Sequence, residues 1–391
     1  MAETLKRRIG LPLLTAYGVG VMVGAGIYVL IGAVAGVAGV WSPVAFFLAG
    51  IVAAPTALSY AEFSTRYPEA AGEAVYLGKG FGRDWLGVLV GLAIVLAGTI
   101  SAAAVLRGGA GYLLGLVPVP MVVAIVFLGA VLIGVALAGV LESLSLAALF
   151  TAIEVVGLAL VIWAGVSAEP VVPVAEAMVP WSGIGAGALL AFFAFIGFED
   201  IVNMAEEVRE PERALPRAIL WSLAITSVLY ALVAWAALRA VPADVLAGSE
   251  QPLAIVWAVG GAGDARVLSA IAVFAALNGV LAQIVMAARV LFGLGKRGGV
   301  LAVFCHVHPR FGTPVRATGL IGGAVIVAAL ALPVAVLAEA TATVLLGVFV
   351  LVNLALIVTK RRGGRAAFEV PMVVPVFGFV LSGLAILGGL V

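Results

Sequence analysis

The chain has 391 residues, 64% of them hydrophobic and only 10% charged, and a formal net charge of +1. Soluble domains hold roughly half apolar and a quarter charged residues, so a soluble enzyme, a nucleic-acid binder and a disordered regulator are excluded. One cysteine, Cys305, and two histidines, His306 and His308, leave no disulfide framework and no metal or cofactor to expect.

A bilayer-spanning helix needs about 20 mostly apolar residues. Cutting the chain at charges, prolines and glycine clusters gives eleven such segments: 9–37, 42–64, 85–114, 120–138, 143–166, 184–204, 214–238, 267–292, 315–332, 336–358 and 372–391. The first follows Lys6, Arg7 and Arg8 but far exceeds a signal-peptide core of roughly 7–15 residues, so it reads as a retained helix. Polar connections run over 65–84, 167–183, 239–266 and 293–314. Within them, 242–260 alternates polar and apolar residues as a short interfacial helix does, and 301–304 reads as structured. Seventeen of the 21 basic side chains fall in the loops on one side, Arg239 and Arg266 on the other, and Arg107 and Arg289 inside spans. Basic residues accumulate on the cytoplasmic side, which predicts a multi-pass protein of the cell membrane with a cytoplasmic N-terminus and an extracellular C-terminus.

Two spans carry breaks. Span one contains Gly18, Gly20, Gly24 and Gly26 around Met22. Glycine weakens helical continuity, and freed backbone groups at membrane depth must be buried in protein or line a cavity. Gly20 and Gly24 also fit simple close packing of two helices. Span six reads Phe192-Phe193-Ala194-Phe195-Ile196-Gly197-Phe198-Glu199-Asp200, a glycine followed by two carboxylates that hydrocarbon tolerates only beside water or partners. Spans one and six stand five apart, and an odd repeat length inverts the second half relative to the first. Interrupted helices at matching positions of inverted repeats point to a secondary-transporter site at the midplane. Unpaired amides of one break suit a carboxylate, and unwound carbonyls of the other suit an ammonium.

At these residues the sequence resembles the amino acid permeases of the amino acid–polyamine–organocation superfamily. The marks are Gly24-Ala-Gly-Ile-Tyr28; Ala57-Leu-Ser-Tyr-Ala-Glu62 with Arg66-Tyr-Pro-Glu-Ala-Ala-Gly-Glu73; Phe192 to Asp200 running into Ala205 to Pro211 and Pro216 to Ile219; and His308 to Pro314. The resemblance covers almost the whole chain. It implies an all-α LeuT-type fold: a single transmembrane domain over 1–391, with repeat one at about 9–166, repeat two at about 184–358 and an extra helix at about 372–391. Many members have twelve spans, where eleven are counted here. The family's substrate carboxylate site matches Met22, Val23, Gly24, Ala25, Gly26 and Ile27. Its amino-group site matches Phe193, Ala194, Phe195 and Ile196, continuing into Gly197 and Phe198, with Phe195 or Phe198 helping to occlude it. Proton-coupled relatives carry a lysine in the middle of span five where Glu154 stands here, and a span-three carboxylate of those relatives is replaced by Ala97 or a neighbour.

A carboxyl group at the depth of Glu154 can load a proton on one side and release it on the other, ligate sodium together with Asn278, or stay protonated as a structural hydrogen-bond donor. Glu62 and Arg66, four apart, suit an ion pair and with Glu206 and Arg209 form either an inner gate or an interfacial anchor. Glu199 and Asp200 are expected to cap the second half of span six, and Arg107 to snorkel or pair with an acid. Thr99, Ser101, Ala102, Ala276 and Asn278 put no charge in the pocket, so a small or neutral amino acid is expected. The reading is a proton-coupled amino acid importer working by alternating access, with a proton or sodium as coupling ion and the lipid bilayer as its setting. The alternatives are an amino acid or amine exchanger and a non-transporting sensor. An enzyme is not expected, since no nucleophile or metal site lies at membrane depth.

Overall fold

The computed structural model describes the chain apart from residues 1–8, 24–25, 69–71, 139–143, 172–179, 206, 262, 297–298, 308–312 and 390–391. The described residues form fifteen α-helices: α1 (Leu11–Val23), α2 (Gly26–Ala38), α3 (Ser42–Arg66), α4 (Gly72–Phe81), α5 (Asp84–Leu114), α6 (Met121–Ala138), α7 (Leu144–Ser167), α8 (Trp181–Phe192), α9 (Pro211–Ala240), α10 (Ala243–Ala247), α11 (Pro252–Val259), α12 (Ala265–Gly295), α13 (Val315–Ala331), α14 (Val334–Arg362) and α15 (Val373–Gly389). Eight helical runs among them are long and apolar enough to cross a bilayer, and Leu11–Val23, Val315–Ala331 and Val373–Leu387 are shorter apolar helices. The protein is a polytopic all-α membrane protein.

Each expected span finds helix. The first comprises α1, up to Val23, and α2, from Gly26, with residues 24–25 outside the described residues. Spans two to five are α3, α5, α6 and α7; spans seven to eleven are α9 and α12 to α15. The interfacial segment becomes α10 and α11, and 301–304 lies in a 3₁₀ helix, Gly299–Phe304. The connection 65–84 holds a helix, α4, that its polarity concealed: Glu73 and Lys79 mark its first and last turns, but Tyr76 and Leu77 are fully buried.

Small residues set the packing of the two longest helices. At a rise of 1.5 Å per residue, 31 residues of α5 and of α12 span about 46 Å, more than the roughly 30 Å of a hydrocarbon core. A Cβ on Gly109 would lie 2.4 Å from that of Ala276, and one on Gly98 would press on Gln283 and Met286. Glycine therefore lets α5 and α12 approach backbone to backbone, the membrane packing mode in which small interfacial residues replace the hydrophobic driving force. Outward faces are apolar. Phe127 on α6 and Leu387 on α15 are more than 60% exposed, as side chains facing lipid are.

The N-terminal end of span one is tied to the chain after span six. Ile9 donates to Glu207 O at 3.1 Å, and Arg209 donates its backbone N–H to Ile9 O at 2.8 Å. On the opposite side α10 lies against α2, where a Cβ on Gly32 would stand 2.7 Å from Leu246 O.

Candidate functional site

Span six unwinds where its sequence turns from aromatic to glycine and acid. The α-helix stops at Phe192, a 3₁₀ turn covers Phe193–Phe195, Ile196 is extended (φ −61°, ψ 131°), and a second 3₁₀ segment runs Glu199–Met204. Gly197 has φ +126°, a region that L residues with a Cβ avoid. A Cβ there would also stand 2.6 Å from Val21 Cγ1 and 3.1 Å from Val21 C. The glycine thus permits both the turn and the approach of α1. Glu199 Oε2 accepts from the Gly197 amide at 2.9 Å, satisfying one of the donors released by the break; the carboxylate reaches back rather than forward as an N-cap would.

Span one meets the break of span six. A Cβ on Gly26, the first residue of α2, would lie 3.1 Å from Ala194 Cα. The Tyr230 hydroxyl on α9 shares its proton between Met22 O at 2.6 Å and Ala194 O at 2.9 Å, closing carbonyls at the end of α1 and in the 3₁₀ turn of span six with one donor. Met22, Val23, Gly26, Ile27 and Phe193 to Phe198 are all buried. Gly24 and Ala25 lie outside the described residues. Phe195 packs edge-on to Tyr230 at 5.2 Å between ring centroids, and Phe198 sits 5.3 Å from Phe349. Tyr230 escaped the sequence reading. Its signal was a phenol in an otherwise apolar span, whose hydroxyl needs a buried partner.

Glu154 and Asn278 are also brought together. Glu154 is 1% exposed; its Oε1 accepts from Asn278 Nδ2 at 3.2 Å, while its Oε2 is buried with no hydrogen-bond partner among the described residues. Tyr28 Oη donates to the Glu154 backbone carbonyl at 2.9 Å, and Tyr112 Oη donates to Tyr28 O at 2.8 Å. Span five is thereby linked to α2 and α5.

Of the four residues expected at the gate, Glu62 and Arg66 are paired directly. Glu62 is fully buried and accepts from Arg66 Nε and Nη2 at 2.9 and 2.6 Å, from Lys360 Nζ at 2.8 and 2.9 Å, and from the Val370 amide at 2.9 Å. None of these donors is Arg209, and Glu206 lies outside the described residues. Glu62 therefore clasps α3 to α14 and to the segment that leads into α15. Arg66 also stands 3.7 Å from Glu369. Glu369 itself is held below the usual carboxylate range, first by the Ala366 amide and then by Lys360, Arg66 and Arg365. Arg107, expected to snorkel or find an acid, instead donates to the carbonyl of Ala329 at 2.8 Å.

A cavity of about 80 Å³ adjoins the break of span six at Ile196 and extends toward α4. Glu73, Glu199 and Asp200 line it together with Ser101 and Gln283. Of the residues expected around a pocket on spans three and eight, Ser101 lines this cavity, and Thr99, Ala102, Ala276 and Asn278 are not among its lining residues. Ser101 belongs to the wall, but three carboxylates share it, two from the span-six break and one from α4, which sequence polarity had assigned to a loop. Burial raises the Glu73 carboxyl above its usual value, partly offset by its own backbone amide and the Tyr60 hydroxyl, which donates to it at 3.0 Å.

Comparison with known proteins points one way. A family model described as amino acid permease matches residues 9–390. An uncharacterized transporter of Mycobacterium tuberculosis is 34% identical over 335 residues, 84% of this chain and 74% of its own length. The branched-chain amino acid permease BcaP of Bacillus subtilis is 29% identical across 98% of this chain and 87% of its own. The vacuolar cationic amino acid transporter 4 of Arabidopsis thaliana is 31% identical over 81% of this chain and 57% of its own.

Proposed function

Because this chain belongs to the amino acid permease family, we propose that it moves amino acids across the cell membrane as a proton-coupled secondary transporter, binding the zwitterionic head where spans one and six break. The observation that carries the reading is the meeting of span one with the break of span six, Gly26 against Ala194 and Met22 O with Ala194 O on one hydroxyl. Broken helices at membrane depth are tolerated only where protein or a cavity receives their freed groups. In this reading span one breaks ahead of Gly26, so that Gly26 and Ile27 offer amides and a positive dipole end for a carboxylate. Carbonyls of Phe193 to Ile196 accept from the ammonium, and Phe195 and Phe198 close over it.

Proton coupling belongs to Glu154. Among the described residues its Oε2 has no donor and its Oε1 has only the neutral Asn278, so a proton has a free oxygen to occupy. Asn278 positions the carboxyl. In this reading, the chain is one transporter domain of two inverted five-span repeats, exposing the site alternately to each side, with the α4 face and the N-terminus in the cytoplasm. The one-sided placement of basic residues supports that orientation. Glu62, Arg66 and Lys360 anchor the cytoplasmic end.

Counterflow in vesicles tests the reading. Purified protein reconstituted with unlabelled amino acids inside is expected to accumulate labelled amino acid transiently from outside. Absence of accumulation for every amino acid, with binding retained, would identify a sensor instead.

A further inference from the structure

Beyond the head-group cradle, we infer that Tyr28 is the positioning residue through which the first turn of α2 and the Glu154 carboxyl act on one another, so that amino acid binding and protonation become interdependent. The inference rests on the transporter reading above and adds a residue to it. Tyr28 stands two positions after Gly26, in the turn of α2 whose start lies against Ala194. Its phenol reaches α7 and donates to the carbonyl of Glu154 itself at 2.9 Å. One side chain therefore joins the backbone proposed to hold the substrate carboxylate to the residue proposed to hold the proton.

That joint has little slack. Tyr28 is fully buried, and its own carbonyl accepts from Tyr112 Oη at 2.8 Å. The two rings meet edge-on, with centroids 6.4 Å apart. Tyr112 Oη also accepts from the Leu253 amide at 3.3 Å, so α5 and the start of α11 hold the same turn of α2. On the α7 side, a Cβ on Gly157 would clash with Tyr28 Oη and stand 2.6 Å from Ile271 Cγ2; glycine clears the seat of the phenol beside Glu154. A side chain held at both ends passes a shift of α2 on to Glu154, because close-packed interiors rearrange in discrete steps rather than yielding gradually. The carboxyl is lightly held: Oε1 has the 3.2 Å bond from Asn278, and among the described residues Oε2 has none. Among those residues, the elements packed against α7 bring no charged side chain to this depth. Neither α1 nor α11 carries one, α1 offering only Tyr17. On α12, Arg266 stands twelve residues before Asn278 and Arg289 eleven after it. On α9, Glu212, Arg213 and Arg217 lie in the first turns, Arg239 is bonded to the carbonyls of Gly165, Val166 and Ala168, and Tyr230 is the phenol nearest to Glu154 in its effect.

Affinity measured against pH separates a coupling role from a merely structural one, because linked sites shift each other by the same factor. Binding of alanine, leucine and lysine to the purified full chain is followed by calorimetry from acid to alkaline pH, with Glu154→Gln as the baseline. A symporter binds proton and substrate together, so wild type is expected to lose about tenfold in affinity over that range relative to the baseline. Tyr28→Phe keeps the ring and removes the bond to Glu154 O, and should shrink the change to about threefold or less. Gly157→Ala presses on the same hydroxyl from α7 and should flatten the profile likewise; binding at the acid end shows that each variant is folded. Ser222→Ala removes a different hydroxyl bond to span one, at Thr15 O, 3.1 Å, and should keep the wild-type profile. A wild-type slope kept by both Tyr28→Phe and Gly157→Ala, or lost equally in Ser222→Ala, overturns the role of Tyr28 and leaves proton coupling intact. A wild-type profile no steeper than that of Glu154→Gln overturns coupling at Glu154, and this inference with it. If none of the three amino acids binds, it is the transporter reading that fails.

Discussion

The hydroxyl of Tyr230 donates to Met22 O at 2.6 Å and, through the same proton, reaches Ala194 O at 2.9 Å. One side chain on α9 thus ties the backbone of span one to the interrupted backbone of span six. Tyr230→Phe leaves two buried carbonyls without their donor, a loss of about 1–3 kcal/mol. The substitution is expected to lower the melting temperature and weaken amino acid binding by about tenfold, read by thermal unfolding and calorimetry. Unchanged binding would show that the register does not depend on this bond.

Gly197 combines φ +126° with a backbone wall at Val21 and Met22. Gly197→Ala adds a Cβ in both a strained conformation, of order 1–3 kcal/mol, and a space already filled. Transport should be abolished even where the protein still reaches the membrane. Surface quantitation alongside uptake distinguishes loss of function from loss of folding, and near-normal uptake would mean that α1 can withdraw from the break.

For Glu154, the expectation concerns coupling rather than binding. Glu154→Gln keeps the oxygen that Asn278 donates to but cannot exchange a proton. Uptake driven by an imposed proton gradient in proteoliposomes should fall at least tenfold, with counterflow of the same amino acid retained. Gradient-driven uptake at the wild-type rate would sink the proton role.

Glu62 tests the clasp on the α4 side. Removing the charge strands Arg66 and Lys360 around a buried neutral group, and breaking a buried pair typically costs about 3–5 kcal/mol. Glu62→Gln should therefore destabilise strongly, and a second substitution, Lys360→Met, should recover part of the loss. A double-mutant cycle on melting temperature measures the coupling; strict additivity would mean that the pair contributes nothing.

Glu73 has a pH signature. Burial raises its carboxyl above the ordinary value of 4.5, so between that value and the raised one the folded state binds more protons than the unfolded state. Its stabilising contribution is complete below pH 4.5 and declines as pH rises through the folded-state value. Wild type minus Glu73→Gln, compared as melting temperature against pH, isolates this slope from the other acids. A flat difference profile would contradict the burial.

Membrane class, the eleven helical segments and the break of span six were legible in the residues, because hydrocarbon leaves few choices. About 20 apolar residues must be helical, and a glycine cluster or a pair of acids inside such a run has to be accommodated by a break or a cavity. Glu154 and Asn278 could be paired in advance, since a carboxyl and an amide at similar depth on facing helices have few other partners. The four-residue spacing of Glu62 and Arg66 likewise announced an ion pair. Yet Lys360 and the Val370 amide, far along the chain, complete that cluster, and local spacing carries no trace of them.

Tertiary structure alone decided what fills the pocket. Glu73 lies on a helix whose surface-like composition read as loop, and it reaches the cavity only because Tyr76 and Leu77 bury the other side of α4. Tyr230 joins Met22 to Ala194 only because α9 packs against both segments. Hydropathy is a property of each segment against lipid and can be summed along the chain, so the sequence by itself determined a multi-pass helical protein and where its helices fail. Which side chains converge on those failures depends on how the helices cross, and crossing is set by glycine-scale shape complementarity such as Gly109 on Ala276 that no one-dimensional pattern records.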